Sequence, residues 1–419
     1  MRDLAVLAFL IGCIGISFWR PWLGVLCLAV FSYMNPHAYA WGFMTTFPAY
    51  QVLVVAVFIA TLMTQDRQSI PRAWQIPAFF FLWAFFVLTT FNAVAQIPAW
   101  EKLQFVSKVY LPFLLTLILI NTREKLHYLI IAIAVSFGLI AVKGGIWAVG
   151  SGFAHRVYGP MGTQFAGNNE FAVAVIMNIP LLILWLRETR NRWIRYGLMA
   201  AIPLSAAAAV SSWSRGAILT LAVTTLVLIL HSKRKWIAVP LVIAAAYLGP
   251  DYLPEEWFQR MDTIQTYEED ESAMSRITIW TDGWNYALNH PLLGAGFEGW
   301  RYVTLSDWHS SYIEILAEHG FIAFFVWASL LFGTMLTLTR LKAITRGIAG
   351  LEWVQNYATM IRTSLIAYAV GTVFLGLSYW DIFYHLVFIA VLVKQFALQE
   401  LTEHQRERRV RLPAYAATT

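Results

Sequence analysis

The chain has 419 residues, 59% of them hydrophobic and only 13% charged, with a formal net charge of +6. Soluble domains carry about 25% charged residues, so the composition excludes a water-soluble globule and fits an integral helical membrane protein, whose spans need about 20 apolar residues each. The positive balance does not mark a nucleic-acid partner, because the bases sit in short clusters between apolar segments, where they orient a chain in a membrane.

In chain order the apolar segments are 3–19, 22–34, 46–64, 76–95, 104–120, 126–149, 168–186, 194–212, 216–231, 235–249, 311–338, 357–377 and 381–398. No small-residue cleavage site follows the first run, which is expected to be retained. Cys13 and Cys27 both lie within apolar segments, so no disulfide framework is implied. The 19 Trp and 18 Tyr suit aromatic belts at two membrane interfaces. Basic linkers recur at Arg67 and Arg72, Arg123 and Lys125, Arg187 to Arg195, Lys233 to Lys235, Arg340 to Arg346, and in the tail from Arg406. Their Lys and Arg excess places them in the cytoplasm. The alternate loops then face outward: 35–46, 96–103, 150–167, the turn near Arg215, 250–310 and 378–380. Thirteen spans would put the N-terminus outside. Segments 3–19 and 22–34 are short and divided by Arg20-Pro21, so twelve spans with an inward N-terminus are expected.

Residues 250–310 interrupt this pattern. Irregular polar chain is tolerated only outside the hydrocarbon or lining a cavity, so a loop of this length is expected to carry the function. It holds Asp251, Glu255, Glu256, Asp262, Glu268, Glu269, Asp270, Glu271, Asp282, Glu298 and Asp307, opposed only by Arg260, Arg276 and Arg301. Over 272–289 the apolar positions Ala273, Ile277, Trp280, Trp284, Ala287 and Leu288 recur at helical spacing and predict an amphipathic surface helix. Asn289-His290-Pro291 ends it and Gly294-Ala295-Gly296 forms a turn.

Several constellations could carry chemistry. Ser214-Arg215-Gly216 joins two apolar segments. An arginine there either snorkels to headgroups or clamps an anion through its bidentate fork. Arg276, in an acidic loop, either pairs with Glu271 or Asp282 or is aimed at an anionic ligand. His309 opens a helix that continues through Tyr312 and Glu314; it is a capping residue or a general base, with Asp307 or Glu314 to orient it. Arg156, Asn168 and Asn169 mix base and amide on the outer face, where an asparagine also serves as an N-cap. Lys143 is a charge inside an apolar segment, a functional candidate by position, and Asp381 opens the last span. Arg301 joins these as a candidate substrate contact. No His-Glu-x-x-His, P-loop, Asp-x-Asp or Ser nucleophile elbow occurs, so neither a metal nor a cofactor is expected.

Ser214-Arg215-Gly216, then Arg276 followed by Trp280, then Asn289-His290-Pro291-Leu292-Leu293-Gly294-Ala295-Gly296, and then His309-Ser310-Ser311-Tyr312 leading to Ala317-Glu318-His319-Gly320 form an ordered set. With Gly167-Asn168-Asn169, and with Tyr33-Met34-Asn35-Pro36-His37 near the start, this set resembles the O-antigen ligase and polymerase superfamily of bacterial inner-membrane glycosyltransferases. Ser310 and His319 stand where that family often has Asn and Thr. The resemblance implies an all-α polytopic inner-membrane protein of about 12 transmembrane helices with one large periplasmic loop. The expected parts are a bundle 1–249, a loop domain 250–310, C-terminal helices 311–398 and a cytoplasmic tail 399–419. It also implies transfer of a glycan from undecaprenyl pyrophosphate to the lipid A-core of lipopolysaccharide, on the periplasmic side. Arg215, Arg276 and His309 would be catalytic, with Asp381 beside them. An O-antigen polymerase or a protein O-oligosaccharyltransferase keeps the fold and changes the acceptor. A transporter, suggested by the many spans and Lys143, lacks the related halves such proteins often show.

Overall fold

The computed structural model describes residues 1–262 and 271–411; Glu268, Glu269 and Asp270 of the acidic run, and the tail beyond 411, lie outside the described residues. No strand occurs among those described. Helices α1 (Arg2–Trp19) and α2 (Pro21–Tyr33) meet at Arg20, where Pro21 takes the first helical position, which needs no amide donor. There follow α3 (Ala49–Met63), α4 (Gln75–Phe91), α5 (Gln96–Leu119), α6 (Arg123–Gly150), α7 (Asn168–Glu188), α8 (Arg192–Val210), α9 (Arg215–Leu230) and α10 (Lys235–Leu248). The long loop carries α11 (Glu255–Asp262), α12 (Glu271–Asn289) and α13 (Trp300–Val303). Then α14 (Ser311–Ala328) runs through a π-helical turn, Ser329–Gly333, into α15 (Thr334–Thr345), before α16 (Glu352–Gly371) and α17 (Asp381–Arg411).

Among the described residues seven helices are long and apolar enough to cross a membrane, counting Ser311–Thr345 as one, and α2, α3, α4, α9 and α10 are shorter apolar helices. Helices α6, α7 and α8 pack on one another, and α16 lies against α7 and α9. Helix α17 runs through the middle; from Trp380 to Val393 every residue is buried, and an apolar helix buried on all sides is a core helix. Helix α10 buries nothing and is peripheral.

The loops separate onto two ends, as the alternation of basic linkers requires. At one end Val157 N donates to Ser211 O, Val94 N to Ala295 O, and Ser311 N to Thr372 O. The Asn168 amide donates to Ser212 O at 2.8 Å. At the other end Lys125 pairs with Asp66 at 2.7 Å, Gln68 donates to Leu117 O, and Arg362 meets His231. Arg187, Arg195, Lys233, Arg234 and Lys342 share one cleft there.

The structure refines four expectations. The Asp3 carboxylate accepts the Gly42 and Met44 amides at 3.0 and 3.1 Å, which puts the start of α1 at the end that carries 250–310. Helices α1 and α2 therefore run in opposite directions between the two ends. Residues 96–103 are not loop but the first turns of α5, where Gln96 ties back to the Phe91 and Ala93 carbonyls at the end of α4. The tail expected from 399 continues α17 to Arg411 without a break. Helix α12 buries Ile279, Gly283 and Ala287, whereas Ile277, Trp284 and Leu288 are exposed; Ala273 lies outside the described side chains. The packed face is small because a Cβ on Gly283 would stand 2.5 Å from Ile313 and 3.1 Å from Trp308.

Candidate active site

The site is assembled around a break in α14. At Gly320 the backbone turns to φ 73°, ψ −176°, a region open essentially to glycine alone. The break withdraws the carbonyls before it from the helical ladder, and buried carbonyls must find other donors. Ala295 N donates to Ala317 O at 2.9 Å, Gly296 N to Glu318 O at 2.7 Å, and Phe321 N to Pro291 O at 2.9 Å. The Gly294-Ala295-Gly296 turn is thus the backbone partner of Ala317–Gly320, and Gly294 and Gly296 reach it through φ of +62° and +75°.

Trp308, fully buried, is held at both ends. Its indole donates to Glu318 Oε1 at 3.1 Å, and its carbonyl accepts the Trp280 indole of α12 at 3.1 Å. This fixes the next residue, His309, at φ 49° in the left-handed region, where a non-glycine residue is uncommon. Among the described residues no side chain hydrogen-bonds the half-buried His309 ring. Glu170, at the start of α7, feels both His309 and Asp307 electrostatically.

One turn before Trp280 on α12 stands Arg276. It shares a cleft with Arg215, Arg260 and Asn169, closed on the far side by Gly371, Phe374 and Leu375. Each arginine arrives by a different route. Arg215 is the first residue of α9, capped by the Ser214 hydroxyl, which accepts Ala217 N at 3.3 Å. The chain enters α9 through Trp213 at φ 58°. Arg260 sits on α11, which docks on that entry turn: Arg260 Nε donates to Trp213 O at 3.1 Å and the Trp257 indole to Val210 O at 3.3 Å. The Trp280 ring lies 6.1 Å from Phe374 in the cleft wall. Two helix starts, Asn169 on α7 and Arg215 on α9, therefore join three guanidinium groups, and helix N-termini add positive potential. The cavity is narrow, about 30 Å³.

The candidate Glu314 belongs to a buried polar network whose other members Ser378, Tyr379 and Lys102 sequence reasoning missed. Ser378 donates through N and Oγ to Glu314 Oε2 at 2.9 and 2.6 Å. The Tyr379 hydroxyl donates to Glu318 Oε2 at 2.6 Å and meets His319 Nε2 at 2.9 Å. Burial and the Glu318 carboxylate push that hydroxyl well above the usual tyrosine range, so it stays protonated and donates. Lys102 of α5 pairs with Glu298 at 3.3 Å and acts electrostatically on Glu314 and Glu318. Lys102 sits within what reads as a loop, and its partners are about 200 residues away or more in sequence, so no local pattern reveals it. Arg260 was visible only as a base in an acidic loop.

The remaining candidates fall elsewhere. Arg301 is exposed and pairs with Glu298 at 3.3 Å. The Tyr312 hydroxyl donates to Ala369 O, a link between helices. Asn168 is engaged by Ser212 O while its neighbour Asn169 faces the cleft. Lys143 and Arg156 line a separate cleft of about 810 Å³ between α6 and 155–160; Arg156 also lies over the Trp213 ring at 5.3 Å. Asp381 does not line the arginine cleft. It borders another cavity, accepting from Ser32 Oγ and from Ile382 N.

Residues 200–328 match the family model for O-antigen ligase, a segment that contains Arg215, Arg260, Arg276 and His309. Residues 1–191 match a family of unknown function (DUF5935). No curated protein matched the chain at a significant level.

Proposed function

We propose, from the match of residues 200–328 to the O-antigen ligase family model, that the chain moves a glycan from undecaprenyl pyrophosphate to the lipid A-core of lipopolysaccharide, at the periplasmic face of the bacterial inner membrane. The observation that carries this reading is the convergence of Arg215, Arg260 and Arg276 with Asn169 on one cleft. The bond broken joins the anomeric carbon to the pyrophosphate oxygen. As it lengthens, negative charge gathers on the diphosphate, and guanidinium groups held in place stabilise that charge where it develops. Their planar forks match phosphate oxygens in pairs, so the mechanism is written without a metal. His309 accepts the proton of the acceptor hydroxyl as that oxygen bonds to the anomeric carbon. Direct attack inverts the centre and leaves undecaprenyl pyrophosphate.

The test is reconstitution with undecaprenyl-pyrophosphate glycan and rough lipopolysaccharide, with chelator and without nucleotide. Capped lipid A-core is the expected product. A ladder of glycan lengths would instead identify a polymerase, and glycosylated protein an oligosaccharyltransferase. His309→Ala and Arg215→Ala are expected to insert normally and to lose transfer; unchanged yield from both sinks the assignment.

A further inference from the structure

A second cavity, about 330 Å³, opens at the same end as the arginine cleft. Its polar lining includes Asp381, Asn35, His37, Tyr50, Lys108 and Gln164, with the Trp380, Phe31 and Phe165 rings in its walls. All but Trp380 and Asp381 come from the first 191 residues, the part that matches a family with no known function. The Asp381 carboxylate is 5% exposed, with Ser32 Oγ on one oxygen and Ile382 N on the other. A carboxylate has about four lone-pair sites, so each oxygen can accept again from the cavity.

This chemistry selects its ligand. Asp381 and Lys108 put one acid and one base in the wall, so the cavity selects neither a net anion nor a net cation, and the volume lies at the small end of small-molecule pockets. Carboxylate, ammonium, amide and hydroxyl groups between aromatic walls suit a neutral sugar, whose hydroxyls both donate and accept and whose ring faces are apolar. Position agrees. The segment that lines the arginine cleft at Leu375 lines this cavity at Trp380, and the one that lines this cavity at Phe165 lines the cleft at Asn169. Five and four residues of chain span at most about 18 and 14 Å, the reach of a short oligosaccharide.

We propose that this cavity is a sugar-binding subsite, built by the N-terminal region, that holds a residue of the glycan chain close to the transfer centre. Its choice of ligand rests on the glycosyl-transfer reading. The sugar belongs either to the acceptor core or to the donor glycan, and two probes separate them: core oligosaccharide released by mild acid, and free donor glycan. Binding to full-length protein in nanodiscs is read by saturation-transfer NMR. Thr46→Trp, from an exposed rim position, and Gln164→Ala are the variants; neither lies in the arginine cleft. One probe is expected to bind wild type and Arg215→Ala alike and to weaken at least tenfold in both cavity variants. In transfer assays the KM for the matching substrate rises by the same factor, with kcat within about twofold. Failure of both probes to bind wild type, or equal binding in both cavity variants, overturns the subsite. Sugar binding that is sensitive to the cavity variants, in a protein that transfers nothing, supports the subsite and overturns the transferase reading alone.

Discussion

Gly320→Ala tests the assembly on which the site depends. Alanine at φ 73°, ψ −176° occupies a region that costs a non-glycine residue about 1–3 kcal/mol. The new Cβ would also stand 2.5 Å from Pro291 O and 2.8 Å from Leu292 C and O, and these are backbone atoms that no rotamer change can move. If the 291–296 turn recoils, the bonds from Ala295 N, Gly296 N and Phe321 N are lost, at about 1 kcal/mol net each. Because backbone atoms within 3.0 Å of a Cβ must give way, the cost is at least about 1–3 kcal/mol and rises to about 6 if all three bonds are lost. Recoil also shifts Glu318, and with it the Trp308 indole that sets the position of His309. Thermal unfolding in nanodiscs should show a clear drop in midpoint, with transfer falling more steeply than the folded fraction. A variant that unfolds within error of wild type would refute the reasoning.

Three further predictions follow from particular contacts. Arg260→Ala should reduce transfer by about 10²–10³-fold, the effect of removing one preorganised donor; Arg260→Lys should recover little of it because the ammonium lacks the paired fork. Wild-type rates in both variants would remove Arg260 from the site. Ser214→Ala deletes the cap on α9 and should cost about 1 kcal/mol, read as a lower unfolding midpoint; an unchanged midpoint means that the cap is replaced. The Lys125 ammonium and then the Asn121 amide hold the Asp66 carboxyl below the usual carboxylate range. A lowered folded-state value means that the stabilisation is present at neutral pH and is lost as pH falls through that value. Asp66→Asn should therefore lower the midpoint at neutral pH and converge with wild type in acid; a difference that persists in acid counts against the linkage.

Much of this protein was legible in one dimension. Apolar runs, basic linkers and a single long polar stretch are local properties, because hydrocarbon demands internally satisfied backbone over about 20 residues at a time. They separated the loops into two sets, and the structure keeps those sets at opposite ends. Arg215, Arg276 and His309 stood out through short motifs; the structure brings Arg215 and Arg276 into one cleft, whose lining does not include His309, and His309 follows Trp308, which Trp280 of α12 holds.

What the tertiary structure decided was which face and which partner. The repeat in α12 picked out Ile277, Trp280, Trp284, Ala287 and Leu288; Ala287 packs with Ile279 and Gly283, Trp280 is half-buried, and Ile277, Trp284 and Leu288 are exposed. Near a membrane an apolar side chain finds a comfortable environment away from the protein, so periodicity does not say which face meets the fold, and close packing there favours small residues instead. Arg260 joined the arginines, Lys102 met Glu298, and Asp381 went to a cavity of its own, each through contacts between segments far apart in the chain. Composition and spacing describe how each segment meets its solvent; only the fold, by satisfying backbone groups across the Gly320 break and burying charge against charge, determines which distant segments share a site.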